Sequence, residues 1–158
     1  IGGGQGLFIH SLMAEQKSIG ADQTFTVFDL PEVNLLPHIS THVRKISGDF
    51  FKNQIPEANL YLALNVFHNW SDEKALSILK NISQSMKFGT KLWVIETLAK
   101  DTGFHMGNWL DMEMLAFFNG GKERTIQEFN GIYDEAGLRI ERIIGTGTIM
   151  SVMEVTKK

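Results

Sequence analysis

The chain opens on Ile1-Gly2-Gly3-Gly4-Gln5-Gly6, and no other segment limits the possible folds as strongly. Glycine reaches left-handed backbone conformations without steric cost. It also lets main chain approach a ligand that a side chain would hold off. Gly2, Gly4 and Gly6 have a G-x-G-x-G spacing. The dinucleotide fingerprint G-x-G-x-x-G needs its third glycine one position later, where Leu7 stands. No Lys-Ser or Lys-Thr pair follows, which excludes the phosphate cradle of a P-loop. The loop therefore points away from nicotinamide and flavin cofactors and towards S-adenosylmethionine.

The rest of the chain supplies an α/β framework for such a loop. Residues 7–17 read as a helix with Leu7, Phe8, Leu12 and Met13 inward. Residues 24–28 form a β-branched and aromatic strand ending at Asp29, and Pro31 suits the first turn of a short helix. A more polar strand follows at 42–47. The apolar run at 60–66 is expected of a strand covered on both faces. Ser71 caps a helix whose buried face is Ala75, Leu76, Leu79, Ile82 and Met86. Residues 91–98 make another strand and 108–118 a helix. Thr125-Ile126-Gln127-Glu128 is a capping box opening a helix that Gly137 closes. Residues 139–144 and 149–155 close the chain as an antiparallel pair. Apolar strands alternating with helices predict a single α/β domain over 1–158 with a mainly parallel sheet.

Composition removes several function classes. There is no cysteine, so disulfides, thiolate zinc sites and cysteine nucleophiles are excluded. The net charge is −3 with no basic run, which disfavours nucleic acid as a partner. No apolar stretch approaches the ~20 residues of a membrane span, and a cytoplasmic protein is expected. No residue cluster suggests a metal.

Candidate site residues fall at strand ends, where doubly wound sheets bind ligands. Asp29 could accept from both ribose hydroxyls of a cofactor, or cap the helix after it. Asp49 could accept from an adenine amino group with Phe50 packed on the ring, or belong to a solvated turn. His68 follows the buried strand and has the near-neutral pKa that suits a base acting on a hydroxyl, although a histidine there can also be structural. Glu96 sits in the apolar run Leu92-Trp93-Val94-Ile95, where a carboxylate is costly unless paired. Glu123 lies in a glycine-flanked segment and is either a partner of that kind or a surface charge.

Four motifs add to the glycine loop. They are Phe28-Asp29-Leu30-Pro31, Gly48-Asp49-Phe50-Phe51, His68-Asn69-Trp70-Ser71-Asp72-Glu73 and Gly120-Gly121-Lys122-Glu123-Arg124-Thr125. In this order the chain resembles the S-adenosylmethionine-dependent O-methyltransferases of the hydroxyindole and plant phenolic type. The resemblance implies a Rossmann-like class I methyltransferase fold with a mostly parallel seven-stranded sheet, strand order 3-2-1-4-5-7-6, and a C-terminal antiparallel hairpin. It implies cofactor contacts from Gly2, Gly4, Gly6, Asp29, Leu30, Asp49 and Phe50. It makes His68 the general base, oriented by Glu96 and Glu123, and places Met114 and Phe118 at the acceptor pocket. The implied partners are a small aromatic or polyketide-type hydroxyl compound and a second copy, paired through an N-terminal helical domain. S-adenosylhomocysteine is the implied product of the cofactor.

The chain departs from the family at Asn69, where an aspartate is usual. That aspartate could serve as a turn contact or tune the histidine. On the family pattern the first strand would be truncated to Ile1, so the chain is expected to be a catalytic domain without its N-terminal part. The alternatives are a cofactor-binding member that decarboxylates or hydroxylates a natural product, and a non-catalytic fragment.

Overall fold

A computed structural model describes residues 1–15, 23–35, 43–100, 106–117 and 120–158. The chain divides into two compact units, Ile1–Pro56 and Glu57–Lys158. In the first unit, α1 (Leu7–Glu15) follows the glycine segment. It is succeeded by β1 (Phe25–Asp29), α2 (Pro31–Asn34) and β2 (Val43–Ser47). β1 and β2 pair in parallel, from Phe25 beside Val43 to Asp29 beside Ser47. Pro31 opens α2, where its missing N–H costs nothing. The Asn34 amide donates to the carbonyls of Asp29 and Ile46, both at 3.1 Å, and fastens α2 to the ends of both strands. In α1, Leu7 is exposed rather than inward as expected, because it is the first helical residue; Phe8, Leu12 and Met13 are half-buried. The expected helix end at Lys17 and strand start at His42 lie outside the described residues.

The second unit holds β3 (Leu60–Leu64), a 3-10 turn (Phe67–Asn69), α3 (Asp72–Ser85), β4 (Lys91–Thr97), α4 (Met106–Phe117), α5 (Ile126–Glu135), β5 (Leu138–Gly145) and β6 (Met150–Lys157). Its strands run in the order β3-β4-β6-β5. β3 and β4 are parallel, and β6 is antiparallel to both β4 and β5. The final strand thus lies inside the penultimate one, as the family order has it. Among the described residues there are six strands, in a two-stranded and a four-stranded sheet, with two parallel and two antiparallel pairings.

Burial explains why these segments take these forms. Ala75, Ile78, Leu79 and Ile82 of α3, with Phe129, Ile132 and Tyr133 of α5, are buried together with Ala63, Leu92, Val94, Met153 and Val155 of the sheet. Ile78 takes the inward place expected of Leu76, which is half-buried. β3 stops at Leu64, short of the expected end, because Asn65 turns left-handed with φ 52°. Asparagine tolerates that conformation better than most residues. The capping box forms in full: Glu128 N–H donates to Thr125 Oγ1 at 3.2 Å, and Thr125 N–H to Glu128 Oε2 at 2.8 Å. Gly137, at φ 71°, ends α5. Ser71 holds the N-cap position of α3, but its side chain makes no capping bond.

Gly107 shows how closely α4 rests on its neighbour. A Cβ there would lie 2.5 Å from the Leu98 carbonyl oxygen. In an open helix, alanine for glycine gains about 1 kcal/mol. Here the clash is with backbone, and the sign reverses. Gly107→Ala should destabilise by about 1–3 kcal/mol, read as a lower urea midpoint at unchanged slope; an unchanged or higher midpoint would show that α4 shifts freely.

Candidate active site

In the first unit the glycine segment is shaped by its own main chain. Gly2, Gly4 and Gly6 have φ of 59°, 57° and 83°, all left-handed. Gly2 N–H donates to the Phe28 carbonyl, which anchors the segment at the end of β1. A Cβ at Gly4 would meet nothing within 4 Å, so it is conformation and open space, not packing, that selects glycine there. The Asp29 carboxylate holds this shape. Its Oδ2 accepts from Gly4 N–H at 2.8 Å and its Oδ1 from Leu30 N–H at 2.7 Å. Asp29 does not cap α2; Leu30 occupies that position without a side-chain bond and is 44% exposed.

The second expected contact, Asp49, is engaged by its own turn. Its Oδ1 accepts from Phe51 N–H at 2.8 Å, and its Oδ2 pairs with Lys52 Nζ at 3.0 Å. The Phe51 amide, then Lys52, hold its carboxyl below the ordinary carboxylate range. The Phe50 and Phe51 rings meet edge to face at 4.9 Å. Gly48 is needed for this turn to lie against β1, since a Cβ there would come 2.4 Å from Phe28.

In the second unit the fold brings His68, Glu96 and Glu123 together. Asn65 redirects the chain after β3, and the 3-10 turn places His68. The first amides of that turn would be unpaired, as at any helix start. Val66 N–H and Phe67 N–H both donate to Glu96 Oε1, at 2.9 and 2.8 Å. His68 Nδ1 lies 3.1 Å from Glu123 Oε1 and 3.9 Å from Glu96 Oε2. The His68 side chain is 17% exposed against 1% for Glu96, so of these two only the imidazole reaches solvent. Glu123 is fixed in turn by its amide, which donates to Asp111 Oδ1 of α4 at 2.8 Å.

Burial sets the electrostatics of this cluster. It pushes the Glu96 carboxyl up to about 7, Glu123 adding to the effect, against the opposing pull of His68 and the two amides. Burial alone would lower His68. The Glu123 hydrogen bond, the charges of both carboxylates and the Asn65 carbonyl outweigh it, and the imidazole is raised. Sequence reading saw no metal cluster, yet these three ligand-type groups lie within 4.8 Å of one another. The reason is that the fold joins residues far apart in the chain. Nδ1 already faces Glu123.

Two sequence expectations change here. Asn69 makes a turn contact: its Nδ2 donates to the Asn65 carbonyl at 3.1 Å, a donor role that an ionised aspartate lacks. Arg124, quoted only as part of a motif, is 1% exposed and holds the turn carrying His68. A buried arginine follows from no local pattern; the one signal was its place beside Glu123. Met114 is half-buried on α4, while Phe118 lies outside the described residues. No helix among the described residues is long and apolar enough to cross a membrane.

The family model for the O-methyltransferase domain matches residues 1–139, and the chain belongs to that family. It is similar to norreticuline-7-O-methyltransferase of Papaver somniferum, 35% identical over 142 residues that make up 87% of this chain and 38% of that protein. Among solved structures, human N-acetylserotonin methyltransferase in complex with S-adenosylmethionine superposes with a TM-score of 0.86 at 29% identity, over 99% of this chain and 46% of that one. The calicheamicin-biosynthesis methyltransferase CalO1, bound to S-adenosylhomocysteine, gives 0.87 at 27% identity over 100% of this chain and 47% of that one. The chain spans less than half the length of each of these three relatives.

Proposed function

We propose that the protein carrying this chain transfers a methyl group from S-adenosylmethionine to a hydroxyl of a small aromatic or polyketide-type molecule, with His68 as general base. The observation that carries this reading is the geometry of the mostly buried but solvent-reaching His68, with Nδ1 held by Glu123 and Glu96 sealed behind it. The first unit fits the cofactor. Its three left-handed glycines expose main chain, the space beside Gly4 is open, and Asp29 braces the loop while each of its oxygens keeps a further lone pair. Gly2, Gly4, Gly6, Asp29, Leu30, Asp49 and Phe50 would hold the cofactor, and Met114 and Phe118 would line the acceptor pocket. When bound, S-adenosylmethionine supplies an electrophilic methyl on a sulfonium centre.

The chain's own residues handle the proton. A neutral imidazole whose Nδ1–H is directed at Glu123 has Nε2 as its remaining acceptor. That nitrogen takes the hydroxyl proton, and the imidazolium formed is stabilised by Glu123 and Glu96. A phenol with pKa near ~10 is within reach of such a base. The reading also carries the family's seven-stranded sheet and its homodimer through an N-terminal helical domain. The names of the relatives support the acceptor class without fixing the compound.

Labelled S-adenosylmethionine offered with a panel of phenolic acceptors should give a labelled methyl ether without added metal. Because His68 must be neutral to act and is raised above 6.5, the rate should climb with pH through a midpoint above that value. Tight cofactor binding with no methyl transfer to any hydroxyl would sink the reading.

A further inference from the structure

The segment Lys122–Arg124 clasps the turn that carries His68. Lys122 N–H donates to the His68 carbonyl at 2.9 Å. Arg124 Nη1 donates to the Phe67 carbonyl at 2.8 Å and Nη2 to the Trp70 carbonyl at 2.6 Å. These carbonyls lie on either side of His68 and Asn69. Arg124 Nε completes the set on Asp72 Oδ1 at 2.8 Å, at the start of α3. The guanidinium is fully buried and lies over the Phe129 ring, 5.8 Å from its centroid. Its own main chain is fixed as well: Arg124 bridges Leu98 at the end of β4, and its carbonyl accepts from Ala99 N–H at 3.0 Å.

Glu123 sits between the two residues that make this clasp. We infer that Arg124 is a positioning residue: by pinning Phe67 and Trp70 it fixes the distance between His68 Nδ1 and Glu123 Oε1. This rests on the reading of His68 as the base. Arginine suits the task because its planar fork reaches several acceptors at once from one rigid group. Lysine has the charge without the fork. Loss of the two guanidinium bonds to the Phe67 and Trp70 carbonyls would let the turn relax, and a displacement of about 1 Å at a base can cost about 10²-fold in rate.

The test follows His68 directly. Arg124→Lys should lower kcat by about 10²-fold while cofactor binding, measured by calorimetry, stays unchanged. The His68 titration, followed by NMR of labelled histidine, should move down towards an ordinary histidine as the Glu123 bond lengthens. In a double-mutant cycle, Arg124→Lys added to Glu123→Gln should cost little more than Glu123→Gln alone. A folded Arg124→Lys protein whose His68 titrates as in the parent overturns the inference, and so does full additivity in the cycle. If Arg124→Lys does not fold, Asp72→Ala removes the Nε partner at a half-exposed position; it should shift His68 in the same direction, and an unmoved titration there also overturns it. Should His68→Ala keep full turnover, the base reading fails, yet the titration still decides whether Arg124 sets the hydrogen bond.

Discussion

Replacing His68 by alanine should lower turnover by about 10²- to 10⁴-fold, the usual worth of a general base, and leave cofactor affinity unchanged. The reasons are local. Of His68 and the carboxylate sealed behind it, only the imidazole reaches solvent, and its Nδ1 is occupied by Glu123. Among the described groups of the cluster, His68 is the one that combines solvent access with a ring nitrogen not facing a carboxylate. The residues proposed to hold the cofactor are Gly2, Gly4, Gly6, Asp29, Leu30, Asp49 and Phe50, and His68 is not among them. The measurement is labelled-methyl transfer at saturating acceptor, with calorimetry on the same sample. Turnover within about tenfold of the parent would remove His68 from the role, since a base worth less than that lies below the usual range.

The second large effect concerns stability. Glu96→Ala strips the acceptor from Val66 N–H and Phe67 N–H together. Each buried donor left unpaired costs about 1–3 kcal/mol, so the loss should be about 2–6 kcal/mol. That is a large part of the ~5–15 kcal/mol that holds an ordinary domain together. Glu96→Gln keeps an oxygen for both amides and should lose much less. The two forms differ again with pH. Burial raises Glu96 from an ordinary 4.5 to about 7, so between those values the folded state binds the proton more tightly than the unfolded one. Stability from this group therefore falls as pH rises through that window. Urea unfolding at pH 5 and pH 8 should show a steeper decline in the parent than in Glu96→Gln, where only the raised His68 still contributes. An equal slope in both would mean that Glu96 stays ionised throughout.

Much of this was readable from sequence where the signal is local. The capping box at Thr125, the glycine stop at Gly137 and the closing antiparallel pair depend on neighbours within a few residues, and all form. The ionisable residue inside the apolar run at Glu96 called for a partner, and the fold supplies two amides and an imidazole. Other features needed tertiary facts. Nothing near Arg124 in the chain shows that it points at the Phe67 and Trp70 carbonyls, because those acceptors exist only once the 3-10 turn has formed. The choice of Ile78 over Leu76 as the inward residue depends on the rotation of α3 against the sheet, to which a helical period spanning several apolar residues is insensitive. Asp29 and Asp49 were legible as acidic residues at strand ends, but their bonds to Gly4, Leu30 and Phe51 follow from loop shapes that spacing does not specify.

The place of β6 between β4 and β5 has a consequence for how the protein is made. The chain emerges from the ribosome with Met150–Lys157 after both of the strands it joins. Until it arrives, β5 has no strand partner among the described residues and β4 offers an open edge through which nascent chains can stick to one another. The second unit therefore closes its sheet only after synthesis has passed Lys157, and a chain arrested a few residues short of that point should engage chaperones rather than wait as a folded intermediate.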